Sequence, residues 1–440
     1  MEEKSVEYKS YYTGIFSLNY FVQGVNQSIF TVVVPIYILN LVGYVDAAAI
    51  ASLGTIIMIP FVLKLIFGLM SDKISFKRLG RRKPWIIGPA CFGGIVWILT
   101  PSLLLADPYG AITIFMITGF FVMWGLAMSD TAMDGFILDI CPKELLGRTT
   151  GAVWAFRSVG IIAGGIVILL LISYIRVEII FYILGILTIT FGFLTLIIKH
   201  GETAKDRQIL PNLKIMLKKK ENWKVFLFSA GMAITDGVIF LFIALYILIR
   251  AGLVNSVGAT IEVLEENLNL YQPQAIITLI VSLGVVLGSF LGGRVADKVS
   301  RKASVYGKFI LTTGSLILLL IPFPSTLVFI LLIITFIAGS SSGWSNSAFS
   351  AVASEYAKQY PDAPGTYFSI TTSFINFGTL LGLSLTGMIF RNVSLITTDV
   401  FLIYALVFIS MAILSNLAII PFMFLDKRQY EYKLSEEKTS

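Results

Sequence analysis

The chain has 440 residues, 56% of them hydrophobic and only 13% charged. A soluble protein carries about a quarter charged residues, so this composition excludes a soluble domain and implies a polytopic membrane protein. The 33 basic and 26 acidic residues leave a net charge of +7, but the bases fall in separate short loops, which is topogenic and not a nucleic-acid footprint.

Met1 to Ser10 mixes Glu and Lys, and Gly14 onward is apolar, long enough to span and without a cleavage signature, so it reads as an uncleaved first helix. A spanning helix needs about 20 apolar residues. Twelve runs qualify: 14–40, 46–70, 85–105, 110–140, 149–174, 178–198, 223–249, 271–294, 304–322, 325–356, 365–390 and 397–425. The longest polar break, 199–222, is strongly basic and separates two groups of six. The domains expected are therefore a six-helix bundle over 1–198, a basic cytoplasmic linker over 199–222, a second bundle over 223–426 and a tail over 427–440. Leu210–Leu217 is the one linker stretch with amphipathic helical character.

Lys and Arg concentrate in the loops after runs 2, 6 and 8, whereas Gly43–Ala47, Asp107–Gly110 and Pro322–Ser325 carry almost none. Both termini are thus expected on the cytoplasmic side. Cys91 and Cys141 form no disulfide or metal spacing. The single histidine, His200, lies in a basic loop, which excludes histidine relays and histidine metal sites. No nucleophile–base pair, metal set or phosphate loop is present, so neither an enzyme nor a cofactor is expected.

Charged residues inside the runs are costly in a bilayer and are functional candidates by default. Run 4 carries Asp130 and Asp134, four apart and so on one helix face. Asp139 lies off that face near the inner end. At 1.5 Å rise per residue, Lys64, Asp134 and Arg157 each sit about 12 Å inside, with Asp130 a turn deeper. These four predict a coupling or charge cluster: a protonation or substrate-anion site, or a structural cluster holding the first six helices together. Asp236 lies about 20 Å inside run 7. With no base evident at its depth, it is a candidate proton or cation carrier. Asn19, Gln23, Asn26 and Gln27 form a polar stripe along run 1, and Trp344 and Asn346 sit in the small, polar stretch Gly339–Ser347 of run 10. Both suit a solute cavity or interhelical glue. Gly160, Gly164 and Gly165 in run 5 and Gly378 and Gly382 in run 11 read as packing.

One pattern recurs in the two halves. Gly68-Leu-Met-Ser-Asp72-Lys73 is followed, after a short stretch, by Gly80-Arg81-Arg82-Lys83. Gly293-Arg294-Val-Ala-Asp297-Lys298-Val-Ser300-Arg301-Lys302 repeats it between the corresponding runs. This resembles the loop motif of the major facilitator superfamily, Gly-x-x-x-Asp-(Arg/Lys)-x-Gly-Arg-(Arg/Lys). The resemblance implies an all-α membrane protein with twelve transmembrane helices in two pseudo-symmetric six-helix bundles. It also implies gating roles for Gly68, Asp72, Arg81, Arg82, Gly293, Asp297 and Arg301. Asp72 would face the start of run 11 at Gly365 and Thr366, Asp297 would face the start of run 5 at Arg148 and Thr149, and Arg81, Arg82 and Arg301 would lock them. Asp130-x-x-x-Asp134-Gly, with Asp139-x-x-Pro142-x-Glu144-x-x-Gly147-Arg148 and Pro60-x-x-x-Lys64, resembles the cluster of muropeptide permeases, acetyl-CoA transporters and folate–biopterin transporters. Gly80–Trp85 is similar to glycoside–cation and sucrose–proton symporters.

The expected function is secondary active transport of a small polar solute, anionic or sugar-like, by alternating access with proton coupling. Sodium coupling, uncoupled facilitation, and a transporter-like assembly factor or sensor are the alternatives. The expected setting is the bilayer of the plasma membrane, as a monomer, the superfamily default.

Overall fold

Within a bilayer the backbone must satisfy its own hydrogen bonds, which leaves long apolar runs the α-helix. The computed structural model describes residues 8–74, 76, 79–199, 209–264, 269–324, 327–360 and 364–431. The membrane helices are α1 (Ser10–Val42), α2 (Ala47–Ser71), α3 (Lys83–Ala106), α4 (Ala111–Ile140), α5 (Arg148–Ile172) and α6 (Val177–Ile197). They continue with α7 (Lys220–Arg250), α8 (Tyr271–Lys298), α9 (Arg301–Leu318), α10 (Val328–Lys358), α11 (Thr366–Ser394) and α12 (Val400–Met423). All but α9 are long and apolar enough to span by composition alone; α9 carries Arg301, Lys302 and Lys308. The twelve-helix architecture is the one the apolar runs predict. A short helix, Ile209–Lys218, precedes α7.

By their internal contacts the residues gather into two compact units: Met1–Val34 with Ile59–Gln208, and Pro35–Met58 with Ile209–Ser440. In the first, Trp97 is stacked between Phe30 and Phe181, at centroid distances of 4.9 and 5.2 Å. Helices α1 and α5 touch backbone to backbone there. A methyl added to Gly160 would lie 2.1 Å from the Phe21 carbonyl oxygen, the close approach that small residues permit between membrane helices. In the second unit α7 and α11 make the same kind of contact. A methyl on Gly378 would lie 1.9 Å from the Ala230 carbonyl oxygen.

Several helices are irregular. α1 passes through a π-helical segment at Ile29–Val33 just before Pro35. α2 contains Pro60 and breaks at Leu63, whose ψ is 2°. Proline removes a helical N–H and clashes with the turn before it; the break lies three residues after Pro60. α7 turns at Ile234–Thr235 and restarts at Asp236.

The loops around 43–47 and 251–272 hold more structure than expected. Strands β1 (Tyr44–Asp46), β2 (Val254–Val257) and β3 (Thr260–Val263) form an antiparallel sheet in the order β1-β3-β2. Val45 pairs with Ile261, and both are buried, as is Val254. Gly258, with φ of 63°, makes the turn between β2 and β3. Strands this short carry too few alternations to register as a period in the sequence.

Candidate functional site

The first unit concentrates four embedded charges. The break at Leu63 makes Lys64 the first residue of the second half of α2. Backbone amides crowd that end, and the helix dipole gives an ammonium there no support. Asp130 supplies it: Lys64 Nζ forms an ion pair with Asp130 Oδ2, and both side chains are almost wholly buried. Arg157 of α5 approaches the same oxygen at 3.9 Å. Its Nη2 donates to Gln27 Oε1 at 3.2 Å, and its guanidinium lies 5.0 Å from the Trp154 ring centroid. Two cations thus converge on one carboxylate, whose Oδ1 is buried without a hydrogen-bond partner.

Asp134 is placed differently. Tyr20 donates its hydroxyl to Asp134 Oδ1. Asp134 keeps exposed surface while Tyr20, Lys64 and Asp130 are buried. The sequence places Lys64, Arg157 and Asp134 at one level with Asp130 a turn deeper; in the structure both bases approach Asp130.

The polar stripe of α1 splits. Gln27 faces Arg157, and Gln23 is buried with its Oε1 unpartnered. Asn26 turns into the bundle instead: Nδ2 donates to Val22 O at 2.8 Å and Thr188 Oγ1 at 3.2 Å, and Trp97 Nε1 donates to its Oδ1. Asn19 donates to Ile15 O at 3.0 Å. The geometry of Asn26 is that of packing and not of a cavity lining, and the same holds for Trp344. Its Nε1 donates to Ser304 O at 2.8 Å, and its ring lies against Gly292 and Gly307. Asn346 is exposed.

In the second unit Asp236 opens the second half of α7, where the helix dipole favours a carboxylate. Ser342 Oγ donates to its Oδ1 at 3.0 Å. The turn at Ile234–Thr235 leaves the Met232 and Ala233 carbonyls to other donors. Ser345 and Thr379 supply them, at 2.8 and 3.4 Å. The small polar residues of run 10 therefore matter, but as Ser342 and Ser345. A base does lie near Asp236, contrary to the expectation that the second half offers none at its depth. Lys308 of α9 is fully buried, interacts electrostatically with Asp236, and donates to Ser415 Oγ at 2.6 Å. No direct ion pair joins the two among the described residues; a serine holds each. Lys308 sits in a run read only for its apolarity, and a lysine among apolar neighbours at an untapered depth was the signal for it.

The basic-loop motifs build a third set of contacts. Arg82 Nε and Arg81 Nη2 donate to Asp139 Oδ2 at 2.9 and 2.8 Å, and Arg82 Nη1 donates to Ser71 Oγ at 2.8 Å. Gly135 lies directly beneath the Arg82 guanidinium; an added methyl would meet it at 2.5 Å. In the second copy Arg301 Nη2 donates to Glu355 Oε1 at 2.7 Å, while the Arg301 and Lys302 amides donate to Glu431 at 3.1 and 2.9 Å. So the arginine just before α3 meets an acid at the C-terminal end of α4, and the arginine that begins α9 meets an acid near the C-terminal end of α10. Asp139 was read from sequence only as off the cluster face, and Glu355 and Glu431 were not singled out. Gly68 lies 3.4 Å, as measured from an added methyl, from Thr131. Gly293 is near Ser347, and Asp297 is exposed. The Asp72 and Gly365 side chains lie outside the described residues.

The sequence profile of the Major Facilitator Superfamily matches residues 16–270 and 247–439. The chain belongs to the major facilitator superfamily. Among solved structures it is similar to a bacterial homologue of the human lysosomal transporter Spinster, inward-facing and occupied. That match has a TM-score of 0.66 at 15% identity over 97% of this chain and 99% of that one. It is similar to the nucleoside transporter NupG, with TM-score 0.65 at 16% identity over 94% of this chain and 99% of that chain. It also resembles a D-xylose-proton symporter, with TM-score 0.63 at 16% identity over 94% and 98%. No curated protein matches the sequence. The protein is a multi-pass integral membrane transporter.

Proposed function

We propose that the protein is a proton-coupled secondary transporter that carries a small polar solute with an anionic group by alternating access. The observation that carries this reading is the mid-helix cluster Lys64–Asp130–Arg157 with the accessible Asp134 beside it. Two cations share one carboxylate, and Arg157 keeps donors beyond its single bond to Gln27. Gln27 and Trp154 flank it with an amide and an aromatic face. Such a set can orient an anion while Asp134, outside the ion pair, accepts a proton. Asp236, bonded to a hydroxyl and unpaired with a cation, is the second candidate for the coupling proton. The similarity to a D-xylose-proton symporter supports a proton-driven polar cargo.

The two repeats, 1–198 and 223–426 joined by the linker 199–222, act as the alternating bodies, with the tail 427–440 and both termini cytoplasmic and the protein a monomer in the plasma membrane. Asp72 and Asp297, beside Gly68 and Gly293, close the basic-loop side, with the Arg81–Arg82–Asp139 and Arg301–Glu355 contacts fixing the loops that carry them. Substituting Asp72→Ala then shifts the resting protein toward the state open on that side, read as faster alkylation of cysteines placed there. Unchanged alkylation would remove the gating role.

The test of function is uptake of labelled sugars, amino sugars, peptides and organic anions into proteoliposomes. Uptake is measured with a proton gradient, with a sodium gradient and with none. Accumulation that needs the proton gradient supports the proposal. Accumulation on sodium alone replaces the coupling ion, equilibration without a gradient makes the protein a facilitator, and no transport by folded protein favours an assembly or sensing role.

A further inference from the structure

The end of the molecule opposite the basic loops is stitched by backbone. Strand β1 lies in the α1–α2 connection, and β2 and β3 lie in the α7–α8 connection. Tyr44, Val45 and Asp46 pair with Glu262, Ile261 and Thr260. The ladder continues at both ends: Val263 N donates to Gly43 O and Ala47 N to Ala259 O, each at 2.9 Å. The β2–β3 turn is bonded in turn to the α11–α12 connection, through Gly258 N and Thr398 O at 3.0 Å. Three connections from different parts of the chain therefore form one closed patch.

Beneath the sheet, α2 offers small residues to the C-terminal helices. Ala48, Ala51 and Gly54 recur every third residue, with Ala51 near Gly387 and Gly54 near Leu241 and Leu383. Such a seam has little side-chain interlock to hold it shut. Beyond the seam, both helices of this hairpin are irregular. α1 has its π-helical segment at Ile29–Val33, followed by Pro35; α2 has Pro60 and the break at Leu63. The segment between them, Pro35–Met58, groups by contacts with the C-terminal helices and not with the remainder of α1 and α2.

We propose that the β1–β3 ladder is a latch that closes this end of the transporter and parts in each cycle, with Pro35–Met58 swinging about the irregular segments of α1 and α2. The inference rests on the transport reading for the need to open. It adds that the barrier at this end is a backbone sheet and that the moving piece is a hairpin with its own hinges. Sites where proline or a π-turn interrupts a helix are where bending costs least.

The ladder itself selects the test. Because 43 with 263 and 47 with 259 are hydrogen-bonded positions, Tyr44 and Glu262 form a non-hydrogen-bonded pair, whose Cα atoms stand about 4.5 Å apart. That spacing is inside the range a disulfide accepts. Both side chains are exposed. The variant Tyr44→Cys/Glu262→Cys is made with Cys91→Ser, Cys141→Ser and a reporter, Gln27→Cys. Oxidation is followed by site-resolved labelling of the reporter with a membrane-impermeant maleimide, applied to the sheet side of sealed vesicles. The control is Val254→Cys/Val263→Cys, a pair inside the β2–β3 hairpin. The expected result is a disulfide at 44–262 that slows reporter labelling by an order of magnitude or more, reversed by reductant, while the control disulfide leaves labelling unchanged. Failure of the 44–262 disulfide to form, unchanged labelling once it has formed, or equal slowing by the control would each overturn the latch. Labelling needs no solute, so failure here leaves the transport reading standing, and a failed uptake assay leaves this test intact.

Discussion

The two charged centres solve the problem of an embedded charge in opposite ways. In the first unit Lys64 and Arg157 share Asp130, so each charge is met by an opposite one. In the second, Asp236 rests on Ser342 and a helix N-terminus, and Lys308 rests on Ser415. A closed ion pair resists any change of charge, because neutralising one member strands the other in low dielectric. A carboxylate held by a hydroxyl can gain or lose a proton without breaking an ion pair. In the proposed mechanism the first centre holds and orients the solute and the second exchanges the proton, with the accessible Asp134 as the first centre's own exchangeable group.

The largest effect should come from orphaning the first centre. Asp130→Ala leaves Lys64 and Arg157 buried without a counter-charge and should cost about 3–5 kcal/mol, read as a fall in the thermal unfolding midpoint of purified protein. The double variant Lys64→Met/Asp130→Leu should recover much of that loss. Equal midpoints for single and double variants would show that pairing is not what stabilises the cluster. In the second centre Lys308→Met should leave the midpoint unchanged or raise it, since no ion pair is broken. A loss as large as that of Asp130→Ala would erase the distinction between the centres.

Smaller effects separate packing from chemistry. Gly160→Ala forces apart two helices in backbone contact and should cost about 1–3 kcal/mol, whereas Gly14→Ala, with nothing within 4 Å of the added methyl, should cost nothing measurable. Ser345→Ala removes the donor to Met232 O and should cost about 1 kcal/mol, while altering the geometry at Asp236. If it leaves both stability and transport untouched, the α7 turn is not held by α10.

What could be read from the sequence follows from what each interaction leaves there. The twelve helices were legible because a bilayer imposes length and apolarity on every one, and Lys308 did not hide α9 from an apolar-run reading. The repeated loop motif was legible because glycine, acid and bases stand at fixed spacing. Asp130, Asp134, Lys64 and Arg157 were legible as a cluster because an ionisable residue in an apolar run needs a partner. Their pairing was not, since it depends on the break at Leu63 and on which way long side chains reach. Tyr20 and Ser342 left no mark, because a hydroxyl on an apolar helix has many uses. Asn26 and Trp344 looked like cavity residues for the same reason, and only their partners, Trp97 and Thr188 for one and Ser304 for the other, show them to be packing. The latch strands escaped notice because three residues carry no period.

The most direct test of the division between the centres compares two modes of transport in Asp236→Asn, using whichever labelled solute the uptake panel identifies. Accumulation against a concentration gradient, driven by protons, requires the exchangeable group; exchange of labelled for unlabelled solute at equal concentrations requires only the binding centre and the conformational change. The account predicts that Asp236→Asn loses accumulation and keeps exchange. Accumulation at wild-type levels in this variant would contradict it and move the coupling proton to Asp134 or Asp130.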